Sequence, residues 1–307
     1  MRTLVHAPAA ALDHHPPQGH PEHAGRLQAV LRAVSATGIE PATGFSPASR
    51  AALERVHASA LIDQVFAASP REGETALDAD TWMSPGSLKA ALAAAGAGMA
   101  GVDAVMAGEA EAVFVAARPP GHHAEPDRAM GFCLFNTIAI AAAHALAHHR
   151  LARVAVVDID VHHGNGTQAW AQDEPACLFA SIHQGWIYPG TGAAHETGRH
   201  GNIINVPKAA GAAGPAWRKA VETAILPRIE AFAPDFLFVS AGFDAHRDDP
   251  LAGLALSDDD YAWAGAALAQ AARAHAHSRL VCVLEGGYDC AALERSTGAF
   301  LRAVQSA

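Results

Sequence analysis

Asp158-Ile159-Asp160-Val161-His162-His163-Gly164 follows directly on the apolar run Val154-Ala155-Val156-Val157. Four apolar residues leading into carboxylates and imidazoles read as a buried strand whose carboxyl end faces a site. Asp158, Asp160 and His162 alternate, so an extended backbone is expected to point all three to one side. A carboxylate and an imidazole converging this way form a metal half-site. The plainer alternative is a polar strand end capping a helix. Asp244, after Ala241-Gly242-Phe243, is the natural third ligand, although alone it reads as readily as a helix cap or an Asx turn. Two carboxylates and one imidazole leave open positions on Zn²⁺, as a catalytic site needs. Zinc in such a site lowers the pKa of bound water to about 7.

His122 and His123 close a Pro119-Pro120-Gly121 turn. A tight turn can present both rings to one cavity, where one moves a proton and the other holds charge. Each then needs a partner to set its tautomer, and Asp158 and Asn165 are the candidates. An isolated loop histidine more often just bonds backbone carbonyls. In Glu285-Gly286-Gly287-Tyr288 the glycines allow close backbone approach. The phenol can then donate to an oxyanion across from the metal. Phe132, after Gly131, and Tyr188, before Pro189, are loop aromatics fit to wall a narrow channel, or simply to pack.

These residues need a frame. Apolar, β-branched runs at Thr3–His6, 112–116, 154–159, 177–182, 203–206, 236–240 and Leu280–Leu284 predict strands. Stretches 24–36, 52–68, 87–107, 135–149, 217–231, 258–277 and 291–303 predict helices. Such alternation implies an α/β fold, with a mostly parallel sheet and helices on both faces. Chemistry in such sheets collects at the carboxyl ends of strands. The motifs Arg118 to His123, Asp160 to His162, Asp244 to His246 and Glu285 to Tyr288 each follow a predicted strand. No linker or low-complexity stretch divides residues 1–307, so one domain is expected.

The formal net charge of −10 argues against a nucleic-acid partner but leaves a cationic amine open. The most apolar long windows are rich in Ala and Gly and contain Lys89, Asp103, Asn136 and His144, which suits packed helices better than a membrane span. The N-terminus carries no long apolar segment, so no secretory signal is expected. Cys133, Cys177, Cys282 and Cys290 are scattered without a Cys-X-X-Cys pair, pointing to a reduced, cytoplasmic protein.

With these motifs in order, the chain resembles the histone deacetylase family and its bacterial relatives, the deacetylase-like amidohydrolases and acetylpolyamine amidohydrolases. The resemblance runs from His20-Pro21-Glu22 and Arg26-Leu27 to Glu285-Gly286-Gly287-Tyr288. It implies an arginase-like α/β fold and hydrolysis of N-acyl groups, usually acetyl, from lysine or related amines. It implies Asp160, His162 and Asp244 as zinc ligands, His123 as general base and acid, His122 as its electrostatic support and Tyr288 as the group polarising the scissile carbonyl. By the same resemblance, Gly131 accepts a hydrogen bond from the substrate amide, and Phe132 and Tyr188 flank the tunnel. Arg26 lines a cavity beneath the site, and His20 and Gly287 join the substrate-binding set. Asp158 and Ser181, with backbone carbonyls of Asp160, His162 and Ile182, resemble a structural K⁺ site. Asn165, followed by Gly166-Thr167-Gln168, resembles class II members, where class I carries aspartate. A neutral amide should raise the His123 pKa less than a carboxylate would. Tyr188 departs from the Phe of many relatives.

Two rivals stand beside this reading. A binuclear arginase-like hydrolase would need Asp-X-His-X-Asp, but Gly164 occupies the last position and offers no ligand atom. A non-catalytic acyl-lysine reader would need neither the histidine pair nor Tyr288. Among substrates, acyl-lysine is expected over acetylpolyamine, because Leu251 in Asp249-Pro250-Leu251 offers no charge to a distal ammonium where the polyamine-selective relative resembles Pro-Glu. Asp80, Asp248 or Asp249 would weaken that expectation if one of them supplied the charge. Oligomeric state is left open, a homo-oligomer included.

Overall fold

In a computed structural model, residues 1–307 are described throughout. Nine strands form: β1 Thr3–His6, β2 Thr75–Ala76, β3 Trp82–Met83, β4 Ala112–Val115, β5 Val154–Asp158, β6 Cys177–Gln184, β7 Ile203–Lys208, β8 Phe236–Ala241 and β9 Leu280–Leu284. Seven of them make one sheet in the order β1-β4-β9-β8-β5-β6-β7. Every pairing in it is parallel. The remaining two form a small antiparallel hairpin.

Side chains alternate across the sheet as strand geometry requires. Val154 and Val156 of β5 enter one core, with Val113, Val115, Phe236 and Phe238. Ala155 and Val157 enter the other, with Phe114, Leu237 and Val239. The sheet is thus buried on both faces, which is why its strands read as unbroken apolar runs. Fully burying a side chain such as Phe114 contributes about 1.5–3 kcal/mol.

On the first face pack the small-residue helices α4 (Ser87–Met106) and α5 (Thr137–Ala147). On the second lie α1 (Ala24–Ser35), α9 (Asp258–His275) and α10 (Cys290–Ser306). The helix α4 is long and apolar enough to cross a membrane, and most of it is buried in this fold.

The helix predicted over 52–68 is two helices, α2 (Arg50–Leu53) and α3 (Ser59–Ala68). His57 breaks the run. Its Nδ1 lies 3.0 Å from the Glu125 carbonyl, its Nε2 accepts from the Asn136 backbone at 2.9 Å, and Ala58 N–H donates to Pro126. Tertiary partners here replace the helical ladder. The helix predicted over 217–231 is α7 (Gly214–Ala220), a π-turn at Val221–Ile225 and α8 (Leu226–Phe232). Pro227 has no N–H to give the preceding turn, so the ladder widens there. Two helical segments escaped the sequence reading: α6, Asn165–Ala171, and a 3₁₀ helix, Ala9–Asp13.

Candidate active site and metal centre

Asp160 and His162 follow β5, and Asp244 follows the neighbouring strand β8. One ligand atom from each lies within 4.8 Å of the others. His162 Nδ1 stands 3.2 Å from Asp160 Oδ1 and 3.1 Å from Asp244 Oδ2. The expectation that an extended backbone aligns Asp158, Asp160 and His162 needs correction. The strand ends at Asp158, and the chain then turns on its own carboxylates: Asp158 accepts the N–H of Asp160 at 3.1 Å, and Asp160 that of His162 at 2.9 Å. These Asx-type bonds, not a pleat, aim the ligands.

Glycines on the adjoining strand ends make room for the carboxylates. A Cβ on Gly286 would stand 2.1 Å from Asp244 Oδ2, and one on Gly242 the same distance from Asp160 Oδ2. Gly286 N–H also donates to Asp160 at 2.8 Å, and Val161 N–H to Asp244 at 2.8 Å.

The donor set fits a divalent cation. Asp160 and Asp244 are buried, and the only charged partners within ion-pair reach are histidines. Burial opposes a charged His162, but its bonds to the two carboxylates push its pKa up to about 10. Burial and the Asp160 charge push Asp244 up to about 7. Two buried carboxylates here call for positive charge, and one imidazole with two carboxylates is a donor set that zinc accepts.

Glu285, fully buried, accepts the N–H groups of Gly121 at 2.7 Å and His122 at 3.1 Å and so fixes the histidine turn. The two rings lie 4.0 Å apart, tilted by 42°, with different partners. His122 Nδ1 lies 2.9 Å from Asp158 Oδ2, and His123 Nδ1 lies 2.7 Å from Asn165 Oδ1. Burial works against a charged His122, but Asp158, Asp160 and Glu285 outweigh it and hold its pKa well above the ordinary range. Burial first, then the neighbouring His122 and His162, hold His123 well below it. The two shifts run in opposite directions, favouring charge on the first ring and a neutral second ring, a division of labour suited to proton transfer.

A cavity of about 210 Å³ opens over the ligands, lined by Asp80, His123, Gly131, Phe132, His162, Tyr188, Leu251 and Tyr288. It is smaller than the ~300–1,000 Å³ of drug-sized sites and suits a slim chain. Tyr188 meets His123 edge-on at 5.1 Å, and Phe132 meets Tyr288 at 5.9 Å. His20, Arg26 and Gly287 stand behind this wall and do not line it. His20 meets Phe132 edge-on at 4.7 Å, and its Nε2 lies 3.0 Å from the Asp80 carbonyl. Arg26 is buried, bonds Glu22 and the carbonyls of Glu285 and Gly287, and lies 4.7 Å beneath the Tyr288 ring. Asp158 and Ser181 face each other in register across β5 and β6, Ile182 following. The Ser181 hydroxyl lies 2.8 Å from His183 Nδ1.

His163 bonds Thr191 and Gln168, each at 2.8 Å, and His246 lies by Asp248 and Asp258; neither joins the ligand cluster. Sequence reasoning assigned no task to Glu285 and weighed Asp249 only as a charge at the cavity mouth, although both sit in quoted motifs. A lone acid in an apolar or loop setting gives no sign of which backbone N–H groups it will receive.

Comparison with known proteins agrees with this geometry. Residues 20–304 match the histone deacetylase domain. The chain is 41% identical over 291 residues to a histone deacetylase-like amidohydrolase of Pseudomonas aeruginosa, covering 92% of this chain and 74% of that protein. It is 39% identical over 310 residues to a probable deacetylase of Methanothermobacter thermautotrophicus, covering 97% and 89%. The crystal structure of the HDA15 HD domain superposes with a TM-score of 0.93 at 33% identity, covering 100% of this chain and 89% of that one. An all-parallel sheet, strand-end carboxylates and a match over nearly the whole length lead to one conclusion: this chain belongs to the histone deacetylase family.

Proposed function

We propose that this chain is a zinc-dependent amidohydrolase that removes acetyl or other acyl groups from the side-chain amine of lysine. The observation that carries the reading is the convergence of Asp160, His162 and Asp244 with His123 and Tyr288 around one narrow cavity. Asp160, His162 and Asp244 would hold the zinc, which when bound would supply Lewis acidity to the hydrolysis of the acyl group by water. His123 takes a proton from that water and returns it to the departing amine. His122, paired with Asp158, holds positive charge beside the developing negative charge. Tyr288 donates to the carbonyl oxygen. Gly131 offers its carbonyl to the substrate amide, and Phe132 and Tyr188 guide the acyl stem.

A structural K⁺ is part of the proposal. Asp158 and Ser181 stand in register on neighbouring strands, and with the carbonyls of Asp160, His162 and Ile182 they would give an all-oxygen set of the kind a hard cation takes. A reducing cytoplasmic setting is also proposed, supported by four unpaired cysteines.

A second reading is deacetylation of polyamines. Leu251 brings no charge to the cavity, but Asp80 lines it and offers a carboxylate to a distal ammonium. A kcat/KM panel comparing acetyl-lysine peptides, acetylputrescine and acetylspermidine separates the two. Peptide preference is expected. Hydrolysis of none of them would contradict the proposal and favour a non-catalytic acyl-lysine reader.

A further inference from the structure

We propose a second metal site, for a divalent transition ion such as Zn²⁺, built from Asp103, His144, His148 and His149 at the far end of α5 from the catalytic cavity. The helix begins at Asn136, whose side chain bonds Thr167 and Ala124 beside the catalytic loops. It then runs 11 residues, about 16 Å at 1.5 Å per residue. The two clusters therefore share no residue and no loop.

Local geometry brings the four donors together. His144 and His148 are four residues apart and share one helical face; their rings stack 4.8 Å apart at 10°. The helix ends at Ala147, His148 caps it, and Arg150 after His149 takes the left-handed conformation at φ 55°. The His149 ring sits edge-on to both others, at 5.6 Å from His144 and 4.9 Å from His148. Small residues let α4 lie close against α5, so Asp103 reaches across. Its Oδ1 stands 2.7 Å from His144 Nε2 and 2.7 Å from His149 Nε2.

One ligand atom from each of the four residues lies within 4.8 Å of the others. Tetrahedral zinc at about 2.0–2.1 Å from each donor sets neighbouring donors about 3.3 Å apart. The two Asp103 separations, 2.7 Å each, fall below that value, and no pair of donors lies more than 4.8 Å apart, so the four donors need only local adjustment to reach it. Three imidazoles and one carboxylate complete a tetrahedral set with no protein ligand missing.

Access agrees with this. Asp103 and His148 are exposed, so an ion in solvent reaches the cluster.

The test is zinc stoichiometry by equilibrium dialysis and metal analysis at micromolar free Zn²⁺. It uses the wild type, His148→Ala/His149→Ala, Asp103→Asn and Asp244→Ala. His148 and His149 are at most half-buried, so their removal leaves the core intact. The double variant is expected to hold one equivalent less than the wild type, and Asp103→Asn to bind at least about tenfold more weakly at this site. Asp244→Ala is expected to lose the other equivalent, and that loss reads the catalytic centre alone. A double variant with the wild-type zinc count overturns the second site and leaves the cluster a hydrogen-bonded clip between α4 and α5.

Discussion

The buried Asp249 carboxylate accepts the backbone N–H of Tyr288 at 2.7 Å and, through its other oxygen, that of Leu251 at 3.0 Å. One side chain thus ties the proposed carbonyl-polarising phenol to the loop at the cavity mouth. Arg26, 4.7 Å beneath the Tyr288 ring and bonded to the Gly287 carbonyl, fixes the same segment from below. The phenol is placed by backbone anchoring, and losing its hydroxyl should leave that placement intact.

Tyr288→Phe should therefore retain metal and lose at least about a hundredfold in kcat, the scale of removing one oxyanion donor. Metal analysis and steady-state kinetics on an acetyl-lysine peptide read both quantities. Wild-type turnover would remove Tyr288 from the chemistry.

The two histidines should not be equivalent. His123→Ala is expected to cost about 10²–10⁴-fold in kcat, as loss of general acid–base transfer does, and more than His122→Ala. Metal should remain in both variants, since neither ring belongs to the ligand cluster. The reverse ordering with metal intact would exchange their roles.

Asn165 sets the pH dependence. His123 must be neutral to take a proton, and its partner at 2.7 Å is an uncharged amide. A carboxylate there would favour the imidazolium and raise its pKa by roughly 1–3 units. The acid limb of kcat/KM should move to higher pH by about that amount in Asn165→Asp. The change is best made with Glu125→Gln, because Asn165 Nδ2 donates to Glu125 at 2.6 Å and two carboxylates would otherwise meet. An unshifted limb would mean that another group governs it.

Substrate choice turns on the cavity mouth. Leu251→Glu should move preference toward acetylpolyamines by about 1–3 kcal/mol, the scale of a hydrogen bond to a charged group. Asp80→Asn should move it the opposite way if that carboxylate already meets a distal ammonium. A wild-type enzyme with clearly higher kcat/KM on acetylspermidine than on acetyl-lysine peptides would contradict the preference for lysine.

The central strands were legible because both of their faces are buried. Val154–Asp158 and Leu280–Leu284 show as apolar runs with polar residues at their exits. The site followed from those exits. The break at His57 was not legible, since no Gly or Pro marks it and its cause is a partner at Glu125, distant in sequence. Nor was α6, whose first residues Asn165, Gly166 and Thr167 are poor helix formers. The supporting places of Arg26, Glu285 and Asp249 depend on backbone groups of loops distant in sequence, which no local pattern encodes.

The most direct test is zinc reconstitution in the His148→Ala/His149→Ala background, which leaves a single proposed metal site. Protein stripped with a chelator should not hydrolyse a fluorogenic acetyl-lysine substrate, and turnover should return in proportion to added Zn²⁺, up to one equivalent per chain. Adding Asp244→Ala should abolish both the tight binding and the recovery, because two protein ligands hold a catalytic zinc poorly. Full turnover in the stripped protein, or full recovery with Asp244 replaced, would contradict a catalytic centre at Asp160, His162 and Asp244.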